Sequence, residues 1–404
     1  MNNTPPVPAR NRWLIAILIA QLAFGLVAMT ICLPSMQEWP LIFNASQSSV
    51  QLTFSGFVAA YGVLQLVYGP LSDRIGRKPI LLAGLMVAGL GSLLAALAPD
   101  LGLLTLARVL QGAGSAAGMV VGRAAVQDLF VGPERTRMMA FIGMSMGVCP
   151  PLATLVGGQI HVRFGWQANF VLMAVLAVAL FVAAWRVLPA TTRPVDSCPR
   201  GAGWAELVTG YGRLAREPAF FWYVLIMSAM TATFYTFLGG APIVLKGYGV
   251  TPERIGWYIM SIPVAYIFGN MLTTRLIHQR RGDRFIMTLG QVATLAGLGL
   301  VLALGLAGAR TPLALALPLV LLGIGHGLVA PPTLAGTVGL VPALAGSAAA
   351  VAGLMQQLTG ALGGYVVGLV SHDGQVNLAL IMLAFAACGL AAQTVLFRFV
   401  LRRT

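Results

Sequence analysis

Gly69-Pro70-Leu71-Ser72-Asp73-Arg74-Ile75-Gly76-Arg77-Lys78-Pro79 is the stretch whose reading decides the fold. Gly69 has no side chain to hold a neighbouring helix away. Gly76 permits a turn that a Cβ would hinder. Pro79 suits the first turn of a following helix, and Asp73 can pair with Arg77 or cap that helix. On either side lie charge-free apolar runs, 50–71 and 79–98. Each is about the length that crosses hydrocarbon, ~20 residues. A basic turn between two such runs is a loop between two membrane spans.

Working outward, similar runs recur at 13–34, 101–123, 138–160, 164–185, 219–245, 255–274, 285–308, 312–338, 346–370 and 376–397. With the first two they make twelve. The run at 13–34 follows Arg10 and Arg12 as a signal peptide would, but it is too long and lacks a small-residue cleavage site, so it is expected to be retained. No Asp, Glu, Lys or Arg interrupts the chain between Arg310 and Asp373. Two long helices turning near Pro342 fit that stretch. The composition agrees: 58% of residues are hydrophobic and only 9% charged, against about 25% charged in soluble domains. So few charges cannot cover a water-facing surface. A soluble enzyme, a disordered chain and an ordinary DNA-binding protein are excluded, and the expected class is an all-α polytopic membrane protein of about 12 transmembrane helices.

The net charge of +14 could suggest nucleic acid, but its placement reads as topology. With the N-terminus inside, nineteen of the 25 Lys and Arg residues fall on the inner side. Four (Arg163, Lys246, Arg254, Arg310) fall outside, and Arg108 and Arg123 lie within span 4. Both termini are expected in the cytoplasm, with lipid rather than nucleic acid as the partner. Cys32, Cys149, Cys198 and Cys388 lie far apart with no CxxC pair, so neither a metal site nor a disulfide framework is expected.

The longest polar interruption, 189–218, bisects the chain. It reads as a cytoplasmic linker, and Ala202–Glu217 can form an amphipathic helix on the membrane face with Trp204, Leu207 and Tyr211 toward lipid. The expected organisation is a six-helix bundle at 1–188, the linker, and a second six-helix bundle at 219–404. Two such repeats enclose a midplane cavity. The basic turn from Gly269-Asn270 through Arg275, Arg280, Arg281, Gly282 and Asp283 echoes the one at Gly69–Pro79, though two ordinary inner loops would look the same.

The motifs resemble one family closely. Gly69-x-x-x-Asp73-Arg74-x-Gly76-Arg77-Lys78 is similar to the signature loop of the major facilitator superfamily, and Arg108-Val109-Leu110-Gln111-Gly112-Ala113-Gly114 to its span-4 motif. Gly143, Gly147, Pro150, Pro151, Gly157 and Gly158 resemble the span-5 motif of its drug–proton antiporters. Arg108 through Arg123 to Asp128, Phe164-Gly165-Trp166 and Ala345-Gly346-Ser347-Ala348-Ala349 through Gln356 to Gly360 resemble the bicyclomycin/chloramphenicol-resistance branch. The resemblance implies the pseudo-symmetric facilitator fold in a bacterial inner membrane, without a cofactor and driven by a proton gradient. It implies that Gly69, Asp73, Gly76, Arg77 and Asp128 form a conformational switch. It also implies a span-5 hinge at Gly147, Pro150, Pro151, Gly157 and Gly158, with Thr154 where the branch usually has proline.

Arg108 lies inside a span, where a charge is costly. It is expected to face a cavity or a partner, or to snorkel to the nearby surface, and Gln111 shares its helix face. Span 1 departs from the branch: Cys32-Leu33-Pro34 places Thr30 where an Asp is usual, and none of the eleven acids sits in mid-membrane. A proton carrier is then left to Asp128, to His326 between Gly325 and Gly327, or to no cavity residue. Gln21, Thr30, Tyr61, Arg108, Gln111, Tyr235, Asn270, His326, Gln356 and Gln357 are the cavity candidates, each with interhelical packing as its alternative. A mostly apolar cavity with one Arg suits a neutral or anionic amphiphile better than a dication.

The expected function is secondary efflux of amphipathic drugs by alternating access, coupled to protons, by a monomer. Export of a self-made metabolite such as a siderophore, or uptake of a small polar solute, uses the same fold. A membrane enzyme would need clustered acids, histidines or a metal site. His161, His278, His326 and His372 are dispersed, and no GxxxxGK[ST] loop is present for ATP. A cysteine placed at Arg284 should resist a membrane-impermeant thiol reagent added to intact cells; labelling from outside would reverse the topology.

Overall fold

The computed structural model describes residues 12–129, 132–188, 214, 216–340 and 345–400, without the side chains of residues 12, 13, 73, 127–147, 338, 345–347 and 399. The expected linker helix at Ala202–Glu217 and the turn near Pro342 lie almost wholly outside the described residues. Twelve long helices run in chain order, one for each apolar run. They are α1 (Arg12–Thr30), α2 (Gln47–Ile75), α3 (Arg77–Ala96), α4 (Leu101–Leu129), α5 (Gly132–Phe164) and α6 (Gln167–Val187). After them come α7 (Pro218–Gly247), α8 (Pro252–Ile259 and Ser261–His278), α9 (Asp283–Leu306), α10 (Pro312–Ala316 and Leu319–Gly339), α11 (Ala345–Gly368) and α12 (Val376–Val395).

Prolines set several boundaries. α1 ends at Thr30, four residues before the apolar run does, because Pro34 has no N–H to offer the Thr30 carbonyl. A short 3-10 turn, Ser35–Gln37, follows. In α10, Pro318 frees the Ala314 carbonyl, which accepts from Gln375 Nε2 at 3.5 Å. The turn at Gly69–Pro79 is tighter than expected: α2 continues to Ile75, and Gly76 alone breaks the helix with φ 108° and ψ 152°. Only glycine adopts that backbone readily.

Ten of these helices are long and apolar enough to cross a membrane by length and composition. Their outward faces carry side chains that water would reject: Leu90, Val175, Val178 and Phe268 are all exposed. A lipid-facing surface explains this, because hydrocarbon does not penalise exposed apolar groups as water does.

The first six helices pack mainly on one another, with α4 against α1, α2 and α3, and the last six do likewise. The two groups meet through two helix pairs, α2 with α11 and α5 with α8. A twofold relation carrying α2 onto α8 and α5 onto α11 exchanges these two pairs. The contacts concentrate at the end away from the basic turns. Gln51 Nε2 donates to Gly239 O (3.0 Å) and Lys246 Nζ to Gln37 O (2.8 Å); these are the hydrogen bonds between the groups among the described residues. There too, methyls on Gly364 and Gly368 would press on Phe54 and on Ser48 Cα at 2.8 Å.

With the native cysteines replaced, Gln51→Cys and Gly239→Cys should be joined by a short thiol-specific cross-linker, seen as a gel shift after protease cleavage within 189–213. Failure to cross-link in any condition would contradict this packing.

Candidate functional site

Arg108 is the most constrained side chain of the first group. It has no exposed surface. Nη1 donates to Ala28 O (2.7 Å) and Gln111 Oε1 (2.5 Å), and Nη2 to Met29 O (3.2 Å). A helix ends with four carbonyls that lack an intrahelical partner, and inside a membrane no water can take them. Because Pro34 forces α1 to stop within the bundle, Arg108 takes two of those carbonyls, a cation at the negative end of the helix dipole. Its guanidinium carbon also lies 4.3 Å from the centre of the Phe57 ring. Gln111 Nε2 extends the network to Ser92 Oγ on α3 at 2.8 Å.

Several cavity assignments are therefore corrected. Arg108 neither faces a cavity nor snorkels outward, and Gln111 is buried as its partner. Gln21 donates to Leu180 O on α6 (3.2 Å), and Thr30 to Leu26 O (2.9 Å); both are bound into the wall of the first group. Asn270 donates to Tyr266 O one turn back on α8 (3.1 Å). His326 faces a small pocket inside the second group, bounded only by α7, α9, α10 and α12.

At the basic turn, Arg77 is buried, and its Nη1 donates to Ser72 Oγ (2.6 Å), which donates to Gly69 O (2.9 Å). Lys78 Nζ caps the end of α6, donating to Trp185 O (2.6 Å) and Leu188 O (2.8 Å). Gly69 is not needed for close approach, since a methyl there would meet Val120 at an ordinary 3.8 Å. The side chains of Asp73 and Asp128, and Gly143 and Gly147 beyond their backbone, lie outside the described residues.

In α5 the helix runs through Pro150 and Pro151. Thr154, in the place of the usual proline, donates to Pro150 O at 2.9 Å. The glycine pair serves two contacts. A methyl on Gly157 would overlap Ile31 O within the first group, and one on Gly158 would overlap Pro252 O across the seam. Successive helix residues point about 100° apart, so one dipeptide lets α5 touch both neighbours.

The candidates that do meet lie on the seam between the groups. Tyr235 Oη donates to Gln357 Oε1 (3.0 Å), and Phe54 stacks edge-on with Tyr235 (6.0 Å between centroids). Gln357 Cβ lies 2.5 Å from where a methyl on Gly62 would sit. Tyr61 packs parallel to Phe57 at 6.1 Å. Gln356 accepts from Thr231 Oγ1 at 3.2 Å. Buried polar atoms are nearly always paired, yet Gln51 Oε1, Ser55 Oγ, Tyr61 Oη and Ser115 Oγ, on α2 and α4, have no protein partner. Arg123 on α4 is exposed and close enough for its charge to act on Tyr61. Sequence reasoning passed over it in favour of Arg108. Its signal was available: a second Arg on the same helix, beside Gly122. Also missed was Pro331-Pro332 in α10. No group of His, Cys, Asp or Glu among the described residues could hold a metal.

The Major Facilitator Superfamily pattern matches residues 13–364, and the chain belongs to that superfamily. Multidrug resistance protein D of Escherichia coli (strain K12) is 30% identical over 92% of this chain and 93% of its own. A chloramphenicol resistance protein of Pseudomonas aeruginosa is 28% identical over 74% and 70%. A bicyclomycin resistance protein homolog of Haemophilus influenzae is 25% identical over 84% and 85%. These relatives agree with the branch that the motifs resemble. A D-xylose-proton symporter superposes with a TM-score of 0.74 at 16% identity, over 96% of this chain and 98% of that one. A bacterial homolog of the lysosomal transporter Spinster, solved in an inward-facing and unoccupied conformation, gives 0.74 at 16% over 95% and 96%. The chain is a multi-span membrane transporter with the twelve-helix facilitator fold, not an enzyme.

Arg108→Leu should destabilise the detergent-purified protein by about 3 kcal/mol or more, since it strips charge-assisted bonds from buried carbonyls. Arg123→Gln, which strips no helix-end carbonyl of its donor, should destabilise the protein less. Equal effects of the two substitutions would contradict the division between a structural Arg108 and an exposed Arg123.

Proposed function

We propose that this major facilitator exports neutral or anionic amphipathic drugs, exchanging them for protons by alternating access. The observation that carries this reading is the seam. Aromatic rings and unpartnered polar oxygens of α2 face the α7 and α11 side chains there, and among the described residues the one carboxylate at the seam, Glu253, sits on its α5–α8 side, away from them. An apolar wall with a few polar groups binds amphiphiles. With no acid on the α2–α11 side, a lipophilic dication there has no counter-charge to offset its desolvation. The names of the relatives, drug-resistance proteins among them, favour export.

The lobes are residues 1–188 and 219–404, linked by 189–218, and they rock about the seam. The basic turns stay in the cytoplasm of a bacterial inner membrane with both termini, as the asymmetry of Lys and Arg favours. On that orientation the hydrogen bonds between the lobes hold the outer end closed. The turn at Gly69 and Gly76 is the switch. Arg77, with Asp73 and Asp128, clamps the inner ends of the lobes in the opposite state, and the interaction need bias the two states by only a few kcal/mol. The hinge segment with Pro150 and Pro151 lets α5 adjust as the lobes move.

In proteoliposomes with an imposed pH gradient, chloramphenicol-like neutral amphiphiles and their anionic analogues should be transported, and lipophilic dications should not. Tyr61→Phe should lower transport several-fold at unchanged stability. Arg123→Gln should weaken anionic substrates about tenfold more than neutral ones, the ratio that loss of one charged contact of about 1.4 kcal/mol gives. Selective transport of dications, or of none of these compounds, would overturn the reading.

A further inference from the structure

The two basic turns put their cations to different uses. At the first, Arg77 Nη1 donates to Ser72 Oγ (2.6 Å), and Lys78 Nζ to the Trp185 and Leu188 carbonyls. At the second, between α8 and α9, Arg275, Arg280, Arg281 and Arg284 are all exposed. None of these four guanidinium groups makes a hydrogen bond or an ion pair with a described residue. Asp283 is the one acid between Arg275 and Arg284. It lies close enough to Tyr223 on α7 for its charge to act there. The nearby His278 ring is tied through Nδ1 to Thr274 O (2.7 Å). Four arginines against one carboxylate leave this turn strongly positive. Arg280, just past the end of α8, has φ 56°, a left-handed backbone that glycine adopts more readily. Strain of this kind is kept where the side chain has a use.

The surface that leads away from the turn is apolar. Phe285, Leu289 and Val292 are exposed along one stripe of α9, and Phe268, Met271 and Leu272 along one of α8. The two helices pack on α10 rather than on each other. Gly269 of α8 seats on Ile324 and Gly327, and Gly290 of α9 on Gly325. Both therefore lean on the same stretch of α10, with a groove between them. At the turn, a methyl on Gly282 would meet nothing within 4 Å. The Arg281 guanidinium carbon lies 5.2 Å from the centre of the Phe285 ring, which holds a cation at the boundary between the turn and the apolar stripe. A cationic rim above an apolar groove is complementary to an anionic headgroup that carries long acyl chains.

We propose that the turn between α8 and α9 is a binding site for an anionic phospholipid, its phosphate held by Arg280, Arg281 and Arg284 and an acyl chain lying against Phe285, Leu289 and Val292. Guanidinium groups suit a phosphate because their forked N–H donors bond two of its oxygens at once. A zwitterionic lipid carries its own ammonium group beside the phosphate, so the same cluster holds it less tightly. The site does not rest on the export reading.

Binding is measured on the detergent-purified full chain without drug, by the lipid retained in native mass spectra and by the rise in melting temperature. Dioleoyl phosphatidylglycerol should bind and raise the melting temperature. Phosphatidylcholine with the same chains should bind about tenfold more weakly. Arg281→Gln and Arg284→Gln should each weaken phosphatidylglycerol about fivefold, the ratio that ~1 kcal/mol per arginine at an anionic headgroup gives. Arg310→Gln, which removes an equal charge beyond the far end of α9, should not. Phe285→Ala keeps every charge and should still weaken binding severalfold. Inorganic phosphate and glycerophosphoglycerol, the headgroup without its chains, should displace no lipid at equal concentration. Equal binding of the two lipids, an equal loss in Arg310→Gln, or displacement by the free anions overturns the site.

Discussion

A membrane interior offers no water to a broken backbone, and the end of α1 is where this chain meets that constraint. Pro34 stops the helix within the bundle, which strands carbonyls where lipid cannot solvate them. Arg108 takes the Ala28 and Met29 carbonyls, and Gln111 ties it to Ser92. Three helices are thereby fixed in rotation and depth by one guanidinium. The burial of a charge that would otherwise be prohibitive is offset by bonds to groups that would themselves be costly if left alone. Once α1 and α4 are locked, α2 is placed to present Tyr61, Ser55 and Gln51 to the other helix group.

The second constraint is close approach. Without a hydrophobic force between helices in lipid, association depends on packing and on small residues. Gly157 and Gly158 show how economically this is done, one seated on α1 and the other on α8. The second contact belongs to the surface that must separate if the lobes rock. The seam is built of glycine against backbone, with only two hydrogen bonds across it among the described residues, so packing rather than polar bonding holds it. The network around Arg108 reaches the seam through Phe57, which lies under the guanidinium and stacks on Tyr61.

Polar groups inside this protein therefore fall into two kinds. Gln21, Thr30, Arg108, Gln111 and Asn270 each bond a carbonyl or a neighbour that does, although Gln21 Oε1 and Arg108 Nε are left without a protein partner. Tyr61, Ser55, Ser115 and Thr294 each keep a buried hydroxyl without a protein partner, Tyr61 and Ser55 of them on the seam. Function is best sought in the second kind, since an unpaired buried polar atom must meet a ligand, a proton or a water to be satisfied.

Sequence alone determined the class, the twelve spans and the basic side of the membrane. These follow from local quantities: the length of charge-free runs, the glycine at Gly76 and the distribution of Lys and Arg. It also marked Gly76 and the Gly157-Gly158 pair, because turns and close contacts need glycine wherever they occur. What it could not say was which way a polar side chain points. Arg108 and Arg123 share a helix and a residue type. Only the packing of α1 against α4 shows that the first is consumed by stranded carbonyls while the second stands exposed beside Tyr61. His326 was legible as an isolated titratable group, but whether it faces the seam or the interior depends on how α10 is rotated against α9. That rotation is set by Gly325 meeting Thr294, a contact between residues 31 positions apart. Orientation is a property of the whole bundle, because a helix presents every side chain to some direction and only its neighbours decide what lies there.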